Sequence, residues 1–380
     1  AVKERWPKTR VVAGGPHPSV APEDVLEQSQ VDYVIRGEGE ATFPALVEAV
    51  EGGADLGQVP GIAWRNGKIT VNEDRPPPSD LNALPWPAWD MVPMERYHTV
   101  PRGGIIYKEE RFATMFSSRA CPWRCTYCHN SYGKQFRERS AEDVLGEIDM
   151  LVRDHGVREF VFMDDIFNFK PARAEAIADG LIERDYGLAL TFPNGFRGDI
   201  LTPELVDKLQ EAGMYRCMVA VESSVRRIQK VCQKNLNVDK VDRIVRHIAD
   251  RGVLVHGAFM LGFHTETEAE MRDTVRWARK SAFHTAAFFR VIPFKGTTLF
   301  SQVEEAGHPL PTDWAAYEPY ETDINLSEVS EDRIAHLRKW AYRSFYFKPS
   351  RLWRLLRLLP RKSRLIQTLA GLFLKRAYAR

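Results

Sequence analysis

Short apolar runs alternate with amphipathic stretches along most of this chain, and the two spacings separate strands from helices. Between residues 108 and 310 the apolar runs fall at 113–117, 159–163, 188–192, 215–221, 254–261 and 286–292. The stretches between them carry helical spacing, so the pattern predicts six strand–helix units, an α/β fold and a parallel sheet. After Ser140, with Asp143 three residues on, the positions Val144, Leu145, Ile148, Leu151 and Val152 form one apolar stripe. This predicts a helix capped by the Ser140 hydroxyl. Thr202-Pro203 opens another helix that Gly213 closes. Thr265 and Glu268 read as a capping box for a helix running to about residue 280.

Residues 1–75 show the same alternation in a shorter fragment. Strands are expected at 9–13 and 32–36, helices at 22–28 and 42–51. The runs 62–65 and 68–71 form a hairpin across Asn66-Gly67, the dipeptide that favours a type I′ turn. Residues 76–107 read as a linker: Pro76, Pro77 and Pro78 keep it extended, and Trp86 and Trp89 suggest that it packs against something. Residues 311–380 read as a helical extension. From Arg351 to Arg380 it has nine Lys or Arg and no acidic residue. Trp353, Leu355, Leu356, Leu358 and Leu359 interleave there with Arg354, Arg357 and Arg361. Such a tail suits an anionic membrane surface, a nucleic acid, or helices packed with a solvated basic face.

Composition changes this picture little. The chain has 380 residues, 44% hydrophobic and 27% charged, ordinary for a soluble protein of two domains. A net charge of +2 assigns no partner. No apolar stretch reaches the roughly 20 residues of a membrane span, and no signal peptide opens the chain. With five cysteines in all, three of them clustered, the expected compartment is the reducing cytoplasm.

The cluster carries the chemistry. Cys121, Cys125 and Cys128 stand in Ser117-Ser118-Arg119-Ala120-Cys121-Pro122-Trp123-Arg124-Cys125-Thr126-Tyr127-Cys128-His129, a C-x3-C-x2-C spacing. Three close cysteines cannot all pair as disulfides. Zinc could take them with His129, although structural zinc sites draw ligands from two separated pairs. Three thiolates can instead hold three corners of a cubane iron–sulfur cluster, leaving the fourth iron open. A cluster meant only for electron transfer has four protein ligands. Cys217, in an apolar run, reads as a small buried hydrophobe, and Cys232, in a charged segment, as incidental.

This loop resembles the signature of the radical S-adenosylmethionine (SAM) superfamily. In that family the open iron chelates SAM, and an electron from the cluster splits it to methionine and a 5′-deoxyadenosyl radical. The resemblance implies a partial (β/α)6 TIM-like barrel over 108–310, with the active site at the strands' C-terminal ends. It implies contacts to SAM from Tyr127 in the loop and from Asp164 or Asp165 in Met163-Asp164-Asp165-Ile166-Phe167. Val219-Ala220-Val221-Glu222-Ser223-Ser224 resembles the family's G-[IV]-E-S-G-S element, which implies SAM contacts from Glu222 and Ser223. Ala220 and Ser224 replace its glycines. Phe259-Met260-Leu261-Gly262-Phe263-His264-Thr265-Glu266-Thr267 resembles F-x-L-G-x-P-G-E-T, which places Gly262 beside the adenine. Pro293-Phe294-Lys295-Gly296-Thr297 is similar to the P-x-P-G-T run of the same subgroup. Phe288, Phe289 and Arg290 on the last strand are candidates for the substrate pocket or for core packing.

The N-terminal fragment resembles the last part of a Rossmann-like cobalamin-binding domain. The matching loops are Gly14-Gly15-Pro16-His17-Pro18-Ser19 and Arg36-Gly37-Glu38-Gly39-Glu40. The resemblance implies that Gly14, Gly15, His17, Gly37, Glu38 and Gly39 edge the corrinoid, since glycine lets the backbone approach a flat ligand. The first half of that domain and its D-x-H-x-x-G element are not in the sequence, so cobalamin binding is expected of a longer parent. The implied cofactors are a 4Fe–4S cluster, SAM and cobalamin. The implied reaction is cobalamin-dependent methylation of an unactivated carbon or phosphorus in a small molecule or lipid. Alternatives are a tetrapyrrole-type radical cyclase and, in another class, a zinc-bearing nucleic-acid module. An electron donor such as flavodoxin or ferredoxin is implied, and no nucleic acid is expected. Phe345-Tyr346-Phe347-Lys348-Pro349 resembles the subgroup's run, which favours a packed tail, with peripheral membrane contact as the alternative.

Overall fold

A computed structural model describes residues 2–28, 30–99, 106–129, 132–311, 317 and 324–360. The chain forms two compact units that cut across the linear segments. The first gathers residues 1–84, 120–137 and 293–310, and the second 85–119, 138–292 and 311–380. The cysteine segment and the turn after the last strand therefore leave the barrel stretch and join the N-terminal one.

The first unit carries the strands Val12–Ala13 (β1), Tyr33–Ile35 (β2), Ile62–Asn66 (β3) and Lys68–Val71 (β4), in spatial order β1-β2-β3-β4. β1 and β2 run parallel, and β3 and β4 add an antiparallel hairpin. Alternation along β2 explains its two apolar layers. Tyr33 and Ile35 pack with Leu46, Val59 and Ile62, whereas Val34 faces Leu26 and Ala63. The hairpin does not use the type I′ turn. That turn needs positive φ at two positions, and only Gly67, at φ +75, has it. Asn66 stays in the strand opposite Lys68.

The second unit is built on Phe112–Met115 (β5), Glu159–Phe162 (β6), Ala189–Phe196 (β7), Met214–Glu222 (β8), Leu254–Leu261 (β9) and Thr285–Arg290 (β10). All six pair in parallel, in sequence order across the sheet. This is the parallel α/β sheet that the apolar runs predict, a six-stranded partial barrel. The helix Ala141–His155 follows β5, and Ser140 accepts the Asp143 amide at its start. Its stripe Val144, Leu145, Ile148 and Leu151 is buried, with Val152 half-buried. Thr202 caps Pro203–Glu211. The capping box on Glu268–Lys280 lies two residues later than expected, at Thr267 and Glu270. Glu266 folds back to the Gly262 and Phe263 amides, and this turn takes up the expected cap position.

Linker and tail both pack on the second unit. Trp86 donates to Asp143 at 2.9 Å and Trp89 to Glu147 at 2.8 Å. Arg290 is buried, paired with Glu331 and donating to the Ile324 carbonyl, so it serves the fold, and Phe288 is wholly in the core. Arg351, at the head of the basic tail, is fully buried. Its guanidinium stacks on Phe345 at 3.7 Å and donates to the carbonyls of Phe283, Phe345, Arg279 and Ser281 at 2.6–3.0 Å. Burial pushes its pKa down to about 10. Cys217 is buried as expected, its thiol pushed up to about 12 by desolvation. Cys232 is not incidental: it is fully buried. Residues 361–380 of the tail, Arg361 included, lie outside the described residues. Among the described residues, no helix is long and apolar enough to cross a membrane.

Arg351→Met strips five carbonyls, that of Ala278 included, of this donor inside the second unit. It should lower stability by about 3 kcal/mol, read as a fall in the urea midpoint of the iron-free chain. An unchanged midpoint would show that the tail does not stabilise the barrel.

Candidate functional site

The cysteine segment belongs to the first unit. It opens at Ala120, buried and left-handed at φ +69, a conformation costly for a residue with a Cβ. Cys121 and Cys125 are half-buried and Cys128 is exposed, and none is in a disulfide. The Cys128 amide donates to the Cys125 carbonyl at 3.2 Å, closing a turn that holds the half-buried Tyr127. The carbonyl of buried Thr126 accepts the Leu299 amide at 2.8 Å. Leu299 stands in the first turn of the helix Thr298–Glu305, capped by Thr297. Just before it, Gly296 has φ +84 and lies so close to Val20 that a Cβ would meet that side chain at 2.8 Å. Lys295 pairs with Asp24 at 2.9 Å. The Pro293–Thr297 run is thus a strut between the N-terminal helices and the cysteine turn.

These donors fit a cubane cluster. Among the described residues, no three Cys, His, Asp or Glu side chains converge on one ion-sized point. A cubane takes each thiolate at a different iron, so its ligands share a loop without sharing an ion.

The two glycine loops follow β1 and β2 on the same edge of the first sheet. Ser19 ties them: its hydroxyl donates to the Gly15 carbonyl at 2.7 Å and accepts the Gly37 amide at 2.9 Å. Gly15 and Gly37 have φ +111 and +73, and nothing lies within 4 Å of where a Cβ would stand. Gly14 is exposed beside them, and His17 is half-buried. This open glycine edge fits a flat macrocycle. Gly39 starts the helix Gly39–Gly52, and Glu38, just before it, is buried against Arg137. A cavity of about 730 Å³ lies elsewhere, beside Lys3, Asp32 and Trp64, where β2 begins.

The second unit holds the remaining predicted residues. Asp164 is fully buried at the end of β6 and accepts the Ser117 amide, the Ser117 hydroxyl at 2.7 Å and the Ser118 hydroxyl. Desolvation raises its pKa against the pull of Arg173 and the serines. Arg173 donates to the Ser117 carbonyl at 3.1 Å and pairs with Glu138 at 3.3 Å. Ser117-Ser118 and Glu138 flank the cysteine segment in sequence, and Arg173 joins them within the second unit. Asp165 is the exposed member of the pair. Glu222 ends β8 at φ +64 and meets Lys234 at 2.9 Å, both side chains nearly buried. The Ser223 hydroxyl is buried against Thr274 at 3.0 Å. Gly262, at φ +93, donates to Glu266. Sequence reading missed Arg137, Arg173, Lys234 and Glu266. Only Glu266, four residues after Gly262 in a turn, had a local signal.

The radical SAM superfamily model matches residues 115–278, and the B12 binding domain model matches residues 1–47. An uncharacterized methyltransferase of Pyrococcus horikoshii, PH0819, is 30% identical over 343 residues, covering 89% of this chain and 72% of its own length. The chain belongs to the radical SAM superfamily. Its place is among the members with a B12 binding domain, and the superfamily's cofactors are a 4Fe–4S cluster and SAM. This radical SAM chain is also 28% identical to cytidylyl-2-hydroxyethylphosphonate methyltransferase of Streptomyces wedmorensis, over 81% of this chain and 63% of that one. In fold it resembles the radical SAM methyltransferase TsrM of Kitasatospora setae, solved with cobalamin and a [4Fe-4S] cluster. The TM-score is 0.66 at 19% identity, covering 78% of this chain and 60% of that one. The chain thus spans about 60–70% of the length of these relatives.

Glu266 gives this radical SAM chain a pH signature. Burial raises its carboxyl from 4.5 to about 7. The stability that the retained proton lends is fully present below pH 4.5 and is lost as pH rises through about 7, on the order of 3 kcal/mol. Denaturation midpoints of the iron-free chain should fall across this window, and Glu266→Gln should flatten the slope. An equal slope in both proteins would refute the assignment.

Proposed function

We propose that this chain cleaves SAM reductively at a cluster held by Cys121, Cys125 and Cys128, and transfers a methyl group through cobalamin. The acceptor is an unactivated carbon or phosphorus of a small molecule or lipid. The observation that carries this reading is that one compact unit contains both the three-cysteine turn and the glycine loops of the B12-matched segment. When bound, the cluster supplies the electron that splits SAM and the corrinoid carries the methyl group.

The chain's own residues bind and orient. The three thiols hold the cluster, and the strut at Gly296 and Leu299 braces their turn within the first unit. Tyr127, Asp165, Glu222 and Gly262 are the proposed SAM contacts, with Lys234 balancing the Glu222 charge. Asp164 and Ser223 support that region from beneath, their polar atoms being engaged. Gly14, Gly15, His17, Gly37 and Gly39 edge the corrinoid. A flavodoxin or ferredoxin supplies the electron.

Anaerobic reconstitution should give about four irons per chain and dithionite-dependent 5′-deoxyadenosine. Cys125→Ala should lose both. Deoxyadenosine from that variant overturns the cluster assignment. SAM labelled in its methyl group should pass the label to product; cleavage with an unlabelled product removes methyl transfer and leaves the radical cyclase.

We infer also that the tail meets anionic lipid, which suits a lipid substrate. Phe347, Leu352, Trp353 and Leu356 are 81%, 41%, 58% and 52% exposed. Arg354 and Arg357 share their helix, and no acid follows. The chain should cosediment with anionic vesicles and not with neutral ones, and Trp353→Asp with Leu356→Asp should abolish this. Failure to cosediment would overturn this reading.

A further inference from the structure

We propose that Glu38 and Arg137 form a positioning pair shared by the two cofactor segments of the first unit, a role that rests on the reading above. Glu38 lies between Gly37 and Gly39, in the second glycine loop. Arg137 lies nine residues after Cys128, where the cysteine segment ends. The side chains of Glu38 and Arg137 are 4% and 3% exposed, and they meet through two parallel contacts: Nη2 to Oε1, and Nη1 to Oε2 at 3.1 Å. A bidentate guanidinium–carboxylate fork fixes orientation as well as distance. Two further N–H groups of the fork reach beyond Glu38, while Nε is buried without a hydrogen-bond partner among the described residues. Nη1 donates to the Pro78 carbonyl at 2.9 Å, and Nη2 to the Tyr132 carbonyl at 3.1 Å. One side chain therefore ties the glycine loop, the stretch after the first sheet and the residues just past the last cysteine.

Three features make this a positioning device. A buried ion pair is a weak source of stability, so its usual return is a specified geometry. Its partners are the two segments that must hold their shape around cofactors. Ser19, linking the Gly15 and Gly37 loops, extends the tie to the first glycine loop. The pair thus gives cluster and corrinoid a common frame. Loading one should therefore favour the other, and by linkage the effect is reciprocal.

The test uses the full chain, reconstituted anaerobically with iron and sulfide and titrated with hydroxocobalamin. In the wild type, iron loading should tighten hydroxocobalamin binding by about fivefold or more, read from the corrinoid's visible spectrum. Glu38→Gln, remote in sequence from every cysteine, should bring that ratio near one and lower retained iron at least about tenfold in affinity. Arg137→Lys keeps the charge and loses the fork, so it should recover iron only in part. A role limited to overall stability would weaken both bindings and leave their ratio intact. Wild-type iron content and an unchanged ratio in Glu38→Gln would overturn the proposal. Should Glu38→Gln fail to fold by circular dichroism, Arg137→Lys decides, and full iron retention in it is fatal. Should the wild type bind no cobalamin, the iron readout alone decides. A wild type that takes up no iron overturns the cluster assignment and this proposal together.

Discussion

A carboxylate taken out of water must find a partner, and several of these pairings stand beside the ends of the cysteine and glycine segments. Asp164 holds the two serines before the cysteines, Arg173 joins those serines to Glu138 after them, and Glu38 receives Arg137. Leaving any of these charges unpaired would be more costly than the pairing is beneficial. The segments therefore have few alternatives to the conformation observed.

Parallel strands add the second constraint. Six strands running one way put all their outgoing loops on one edge. Glu222, Thr265 and, before the cysteines, Ala120 are left-handed without being glycine. Such residues persist only where surroundings over-determine them, and these three lie in the loops that carry the family motifs. Thr265 stands where the family run has glycine, and the neighbouring groups are held in place, Glu222 by Lys234 and the Gly262 amide by Glu266.

The sequence disclosed what depends on near neighbours. The apolar runs located all six strands to within a few residues, and Ser140 and Thr202 declared their helices. The cysteine spacing is legible for the same reason, since it occupies eight residues. Roles set by distant partners were not legible. Nothing local says that Asp164 is engaged by serines forty-seven residues back, that Ser223 is turned toward Thr274, or that Cys232 is buried. The expected box at Thr265 was displaced by the Glu266 turn, a contest between two good local patterns. The discontinuous units were equally hidden, since hydrophobic periodicity marks elements and not their company.

That discontinuity sets an order of events during synthesis. The first unit needs residues 293–310, whose Leu299 amide holds the Thr126 carbonyl and whose Gly296 seats against Val20. Translation delivers these residues only after all six strands of the other unit. The cysteine turn consequently gains this brace only late in translation.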